Sequence, residues 1–340
     1  MNIKELSKKL NLSITTVSRA LGGYSDVSQK TRERVKKYAK KYQYSPNPNA
    51  SRLASSKSNT VGFVLPLYGL NSNKLNQTSF FEFIAGMSKK LNKENIQFFM
   101  FFANNFDEEK QSYNKLIFSE KVNKIILHNL KTNDDRIKLL KKNKIKFVTW
   151  GRTKDLKNYS WVDLDNEGSV ELIMDKLIKN NHKHVSYINI DENYNFAFQR
   201  KQGYIKSLKK FNLEYNKKYY ISVKNEEPLK SANLIKKMLI ENKKITSIIC
   251  STEYTAVGAI KACNELNKKI GKDISIVTFD GPVVERITSP ALTAVSHPRD
   301  QLGIKAIEML LNMDDNNYKH HHFLAKPKLI ERGTIHKVSK

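Results

Sequence analysis

The chain opens with apolar positions at helical spacing. Ile3, Leu6 and Leu10 fall on one face of a first helix, with Asn2 placed as its N-cap and Glu5 as the capping-box partner. The pattern breaks at Asn11-Leu12. Ser13 is then placed to cap a second helix with inner face Val17, Ala20 and Leu21, closed by Gly22-Gly23. Two short helices bury little surface alone. A third supplies the rest: Ser28 caps it, and Val35, Tyr38, Ala39 and Tyr42 form its stripe. The spacing predicts a compact head over residues 1–45 with a helix-turn-helix at its front. Residues 46–58 follow as a linker in which Asn47 can cap, and Pro48 begin, a short helix. A helix of that length is marginal in water, and an ordinary Pro/Ser linker accounts for the same residues.

From Thr60 short apolar runs alternate with amphipathic stretches. One series of strands reads Val61–Pro66, Gln97–Phe102, Lys124–His128 and Lys146–Trp150. A second reads His184–Ile190, Tyr219–Val223, Ser247–Ser251 and Ile274–Phe279. Such alternation predicts parallel sheets covered on both faces, and two series predict two lobes with a seam near Trp150–Asp165. Leu292–Ser296 and a helix near Arg299–Leu311 are expected to return to the first lobe, and Lys328–Ile335 to the second. The expectation is therefore a two-lobed domain over residues 59–340. Its lobe 1 covers about 59–160 and 292–322, and its lobe 2 about 161–291 and 323–336. The fold class is an all-α head and hinge helix joined to a two-lobed, periplasmic-binding-protein-like α/β domain with parallel sheets.

The formal charge of +27 leaves nucleic acid, anionic membranes and acidic substrates all open. Its distribution narrows the choice. Residues 1–60 hold 13 Lys/Arg against 3 Asp/Glu, a net charge of about +10, which suits a phosphate-facing module. Elsewhere the excess is spread thinly over Lys- and Asn-rich helices, as compositional bias alone would spread it. Cys250 and Cys263 lie in apolar contexts, as reduced core thiols would. The first residues have neither the continuous apolar core nor the cleavage site of a signal peptide, and no run is apolar enough to span a membrane. A cytoplasmic protein is expected. No P-loop, dinucleotide-binding or nucleophile-elbow motif occurs, so no enzyme and no cofactor are expected. His320-His321-His322 cannot converge on one metal and has no companion ligands at useful spacing, so no metal is expected.

The second helix is the informative one. Its outward side carries Ile14, Thr15, Thr16, Ser18 and Arg19, where hydroxyls suit phosphates and a guanidinium can fork onto a guanine edge. A small polar surface helix would look much the same. However, the sequence IKELSKKLNLSITTVSRAL…VSQKTRERVKKYAKKYQYSPN resembles the DNA-binding head of the lactose/galactose repressor family. The resemblance extends along the whole chain. It implies that Ile14, Thr15 and Arg19 face base edges in the major groove, while Ser13, Thr16, Ser18, Ser28 and Thr31 grip phosphates. It also implies that the linker orders on operator DNA as a hinge helix, with Ala50 and Leu53 wedged into the minor groove. Pro48 stands where relatives often carry Arg, which removes one minor-groove contact but presets the helical φ.

A ligand in such a fold sits in the cleft near strand ends, held from both lobes. The resemblance places Arg200 of FAFQRKQGY, Asp280 of ISIVTFDG and Asp163 of WVDLDNEG at that site. Taken alone, each is a charged residue that a surface ion pair or helix cap explains. Thr252-Glu253 occupies the place of a frequent Asn-Asp, Gly281 that of a second Asp, and His297 that of another polar pocket residue. The motifs FVTWGR, WVDLDNEG and PNPNASRLA are similar to members that answer to α-glucosides. The resemblance implies a regulator, of the repressor type, that binds near-palindromic double-stranded operator DNA as a homodimer under control of a small ligand such as a sugar. The chain ends in LIERGTIHKVSK with no leucine-heptad helix for tetramers, so a dimer is expected. The other readings are a two-lobed sugar-binding protein without a DNA role, an activator, and a regulator answering to a nucleobase.

Overall fold

The structure is a computed structural model that describes residues 1–44, 60–69, 78–155, 158–224, 228–279, 288–313 and 318–339. The expected hinge at 46–58, with Ala50 and Leu53, lies outside the described residues, as do Asp280 and Gly281. The chain forms two compact units, Met1–Asn59 and Thr60–Lys340.

In the first unit, α1 (Ile3–Leu10), α2 (Ile14–Leu21) and α3 (Gln29–Lys41) begin at Asn2, Ser13 and Ser28. Asn2 Oδ1 accepts the Glu5 N–H at 3.0 Å, and Glu5 Oε2 accepts the Asn2 N–H at 3.1 Å, completing a capping box. Leu6, Leu10, Val17, Ala20, Val27, Val35 and Ala39 form the core, with Ile3, Leu21 and Tyr38 packed against it. Burial of each large side chain here contributes about 1.5–3 kcal/mol. Tyr42 is not part of that core; it packs near Tyr38 under the Lys9 ammonium.

The second unit holds two six-stranded sheets. In chain order the first combines β1 (Thr60–Pro66), β2 (Gln97–Ala103), β3 (Lys124–Leu127), β4 (Lys146–Trp150), β5 (Ser160–Leu164) and β11 (His322–Ala325). The second combines β6 (Val185–Ile190), β7 (Tyr220–Val223), β8 (Ser247–Cys250), β9 (Ser275–Phe279), β10 (Thr293–Ser296) and β12 (Lys328–Ile330). The strand orders are β11-β5-β4-β3-β1-β2 and β12-β10-β9-β8-β6-β7, and among these strands of the described residues β10–β12 alone pairs antiparallel. Strands buried on both faces read as continuous apolar runs, as in TVGFVLP and SIVTF.

The helices between the strands are α4 (Thr78–Lys93), α5 (Phe106–Asn114), α6 (Asp135–Lys142), α7 (Asn166–Lys179), α8 (Asn195–Lys210), α9 (Pro228–Glu241), α10 (Glu253–Glu265) and α11 (Arg299–Asn312). The last of these packs on α4, in the first lobe, at very short range. A Cβ on Gly303 would stand 2.1 Å from the Phe83 carbonyl oxygen, and one on Gly86 would stand 1.9 Å from that of Asp300. Only glycine permits this approach.

The lobe boundaries differ from the expected ones at three places. Leu292–Ser296 does not return to the first lobe: Thr293 pairs with Val277 of β9, and the crossing comes one step later, at His297-Pro298 where α11 starts. Ser160–Leu164 belongs to the first sheet, because Thr149 pairs with Trp161, so the second lobe begins after Leu164 and not at 161. His322–Ala325 pairs with β5 and is also in the first sheet. The last strand is Lys328–Ile330 and not Lys328–Ile335. Beyond it Thr334 stitches the tail to the second sheet, its Oγ1 accepting the Thr293 N–H at 2.9 Å. Among the described residues no helix is long and apolar enough to cross a membrane.

Candidate functional site

In the head, Ser13, Ile14, Thr15 and Ser18 are exposed, with Ile14 43% exposed, a large aliphatic side chain left in water on the outer face of α2. Ser13 Oγ accepts the Thr16 N–H at 3.0 Å and lies 2.8 Å from Thr16 Oγ1. Ser28 and Thr31 repeat the arrangement at 3.3 and 2.9 Å. Two of the five expected phosphate-gripping hydroxyls, Ser13 and Ser28, therefore also cap helices, and two more, Thr16 and Thr31, bond to those caps. Arg19 is held on two sides: its Nη2 is 2.7 Å from Asp26 Oδ2, and its guanidinium lies 4.6 Å from the Tyr24 ring centroid. Asp26 and Tyr24 carried no sequence signal, because their pairing depends on how the α2–α3 turn folds back.

In the second unit the polar groups converge where the chain crosses between sheets. Arg200, on the second turn of α8 and 6% exposed, donates from Nε to Asn166 Oδ1 at 3.0 Å and from Nη1 to the Ser251 carbonyl. Its guanidinium stands 3.6 Å from the Phe279 ring centroid, at the end of β9. Asp163, on β5, accepts from Arg152 Nε at 2.7 Å and from the Leu164 N–H at 2.8 Å. Burial pushes its carboxyl up to about 6, while Arg152 and Arg200 pull the other way. His297 Nε2 lies 3.0 Å from Ser169 Oγ, whose own proton goes to the Asp165 carbonyl; His297 therefore donates from Nε2. Thr252 caps α10, and the Ser251–Glu253 turn it belongs to abuts Arg200 through the Ser251 carbonyl. Glu253 is half-buried in the first turn of α10.

Thus Asp163 and His297 flank the crossovers, and Arg200 links the Ser251–Glu253 turn to Asn166 just past one of them. Sequence reasoning missed their partners Arg152, Asn166 and Ser251. It also missed an aromatic group at the strand ends of the first sheet. His128, 3% exposed, lies 4.9 Å from the Phe63 centroid and 5.3 Å from that of Phe80, and Trp150 stacks on Phe83 at 4.1 Å. Burial pushes His128 down to about 3, so it is neutral.

Nearby, a cavity of about 280 Å³ is lined by Pro66, Tyr68, Tyr113, Asn129 and Tyr194 among others. At its floor Arg136 is paired with Asp134 at 2.7 Å and Glu109 at 2.9 Å. Backbone bonds clasp the lobes beside it: Thr132 N–H to the Asn193 carbonyl at 2.8 Å, and Asn195 N–H to the Leu130 carbonyl at 2.9 Å. Among the described residues no group of His, Cys, Asp and Glu is placed to hold a metal ion. His322 instead stacks on Trp161 at 4.6 Å.

Residues 2–47 match the bacterial regulatory proteins of the lacI family, and residues 174–335 match a periplasmic binding protein-like domain. The HTH-type transcriptional regulator AglR of Rhizobium meliloti (strain 1021) is 32% identical over 82% of this chain and 78% of its own length. The chain belongs to the LacI family. The HTH-type transcriptional regulator RafR of Escherichia coli is a further relative, at 29% identity over 87% of this chain and 86% of its own. The fold is that of the lac repressor dimer bound to operator and the anti-inducer ONPF, with a TM-score of 0.84 at 19% identity, covering 99% of each chain. The CelR–cellobiose complex matches with a TM-score of 0.75 at 20% identity over 98% of this chain and 99% of that one. As a LacI-family member the chain is a DNA-binding transcriptional regulator and not an enzyme.

Proposed function

We propose that the protein is a cytoplasmic, homodimeric repressor whose hold on a near-palindromic operator is set by a sugar bound between the lobes. The observation that carries this reading is the coexistence of two unlike surfaces in one chain. Ile14 and Thr15 are exposed and Arg19 is partly exposed on the outer side of α2, in a strongly basic head. Buried Arg200 is tied both to Asn166, just past the crossing into the second lobe, and to the Ser251 turn after β8. In the head, Ile14, Thr15 and Arg19 would meet base edges, Ser13, Thr16, Ser18, Ser28 and Thr31 phosphates, and Ala50 and Leu53 the minor groove. In the cleft, Arg200, Asp163, Asp280, His297 and the Thr252-Glu253 turn would meet ligand hydroxyls. Aromatic faces such as Phe279 and Trp150 would cover the sugar ring. The solved CelR relative is complexed with cellobiose, and the lac repressor dimer is bound to operator, in keeping with both halves of the proposal. α-Glucosides are the first sugars to try, on the likeness of the linker and seam motifs.

The test begins by selecting a duplex from a randomised pool with the full chain, then titrating it with the wild type and Arg19→Ala. The variant should lose preference for the selected duplex over scrambled DNA. In parallel, a panel of sugars and nucleobases is screened by thermal shift. A ligand at 100 times its Kd stabilises by about 2.7 kcal/mol, which such a screen resolves. Failure to select any duplex would overturn the DNA role; a shift with nucleobases alone would overturn the sugar.

A further inference from the structure

Asp26 is one of 3 acidic residues among the first 60, set against 13 basic ones, yet it sits beside the proposed base-reading Arg19. Its ion pair with Arg19 is exposed on both sides, at 43% and 53% of the side chains, and an exposed pair contributes little to stability. Stability therefore does not explain why a carboxylate stands on a face that must approach phosphates. Tyr24, 45% exposed, adds its ring face to the same guanidinium. The carboxylate restrains one edge of the group and the ring covers one face.

We infer that Asp26 and Tyr24 are positioning residues that set the sequence specificity of Arg19. Two physical effects follow from the geometry. A guanidinium held at Nη2 keeps its second Nη2 hydrogen and the Nη1 hydrogens for a forked contact with guanine O6 and N7, so less freedom is lost on docking. The adjacent carboxylate also cancels the cation's long-range pull on phosphates, which carry no sequence information. Arg19 is thereby made poor at non-specific contact and good at a forked one. The inference rests on the base-reading role proposed for Arg19.

Asp26→Asn and Tyr24→Leu are compared with wild type, Arg19→Ala and Asp26→Glu by anisotropy titration, over a range of salt concentrations. The probes are the duplex selected by the wild-type chain and its scrambled counterpart. Asp26→Asn should tighten binding to the scrambled duplex, steepen its log Kobs against log salt slope by about 0.9, and lower the selected-to-scrambled ratio about tenfold. Tyr24→Leu should lower the ratio with no change in slope, and Asp26→Glu should restore most of it. An Asp26→Asn chain with unchanged ratio and unchanged slope overturns the inference, provided Arg19→Ala still loses the ratio. If Arg19→Ala keeps the ratio, the base-reading role itself is overturned. Thermal unfolding of each variant verifies that the head remains folded; both substituted positions are exposed and outside its core.

Discussion

Replacing Arg200 by Met retains most of the side-chain volume and removes the fork. The change deletes the Nε bond to Asn166 Oδ1 and the Nη1 bond to the Ser251 carbonyl, and withdraws the cation from the Phe279 ring. Two buried acceptors are left without that donor, at about 1–3 kcal/mol each, and the lost cation–π contact adds about 1 kcal/mol. Relief from burying a guanidinium offsets part of this, so the net loss should be about 3 kcal/mol. At about 2–4 °C per kcal/mol for a domain of a few hundred residues, Tm should fall by about 6–12 °C. A double-mutant cycle with Asn166→Ala should return a coupling of at least about 0.5 kcal/mol, since the two side chains touch. Differential scanning calorimetry on the four chains reads both quantities. A Tm drop below about 2 °C, or strictly additive losses, would refute the claim that Arg200 ties Asn166 and the Ser251 turn together. The stability cost also means that loss of a ligand response in this variant has two sources, which a Tm-matched control must separate.

Gly303→Ala should lower stability by about 1–3 kcal/mol even though alanine favours helices by about 1 kcal/mol, because its Cβ would meet the Phe83 carbonyl at 2.1 Å; urea unfolding checks the sign. Acid should destabilise the second unit between pH 6.5 and about 4. Burial pushes His182 down to about 4 and His128 to about 3, so the unfolded chain binds more protons across that window and stability falls as pH drops. His182→Gln should flatten the slope, by at most about 1.4 kcal/mol per pH unit, in urea titrations from pH 6 to 4.5. Leu53→Ala, at the hinge position implied by family resemblance, should weaken binding to the selected duplex more than to scrambled DNA, because a wedge acts only on a kinked site; equal losses in a gel-shift titration would count against it.

What was legible in the sequence is what is decided locally. Asn2, Ser13 and Ser28 announce helix starts because a cap bonds a backbone group three residues away. β1 and β9 announce themselves as predominantly apolar runs with no charged residue. β5 was harder: SWVDL carries Ser160 and Asp163 in a fully buried strand, and polar residues at such positions read as a seam. β11 has only four residues and a largely exposed pattern, so its pairing with β5 is visible only in three dimensions. The same holds for the site. Arg200 could be marked by its motif, but Asn166 and Ser251 lie 34 and 51 residues away, and Ser169 lies 128 residues from His297. Those partnerships are made by the packing of distant elements, and no local pattern encodes them.

The clasp between Leu130–Thr132 and Asn193–Asn195 runs from main chain to main chain. Its bonds are thus indifferent to which side chains the two loops carry. Substitution can therefore rewrite the side chains that line the neighbouring cavity while these lobe-to-lobe bonds stay intact, so the lining and the join can diverge at separate rates.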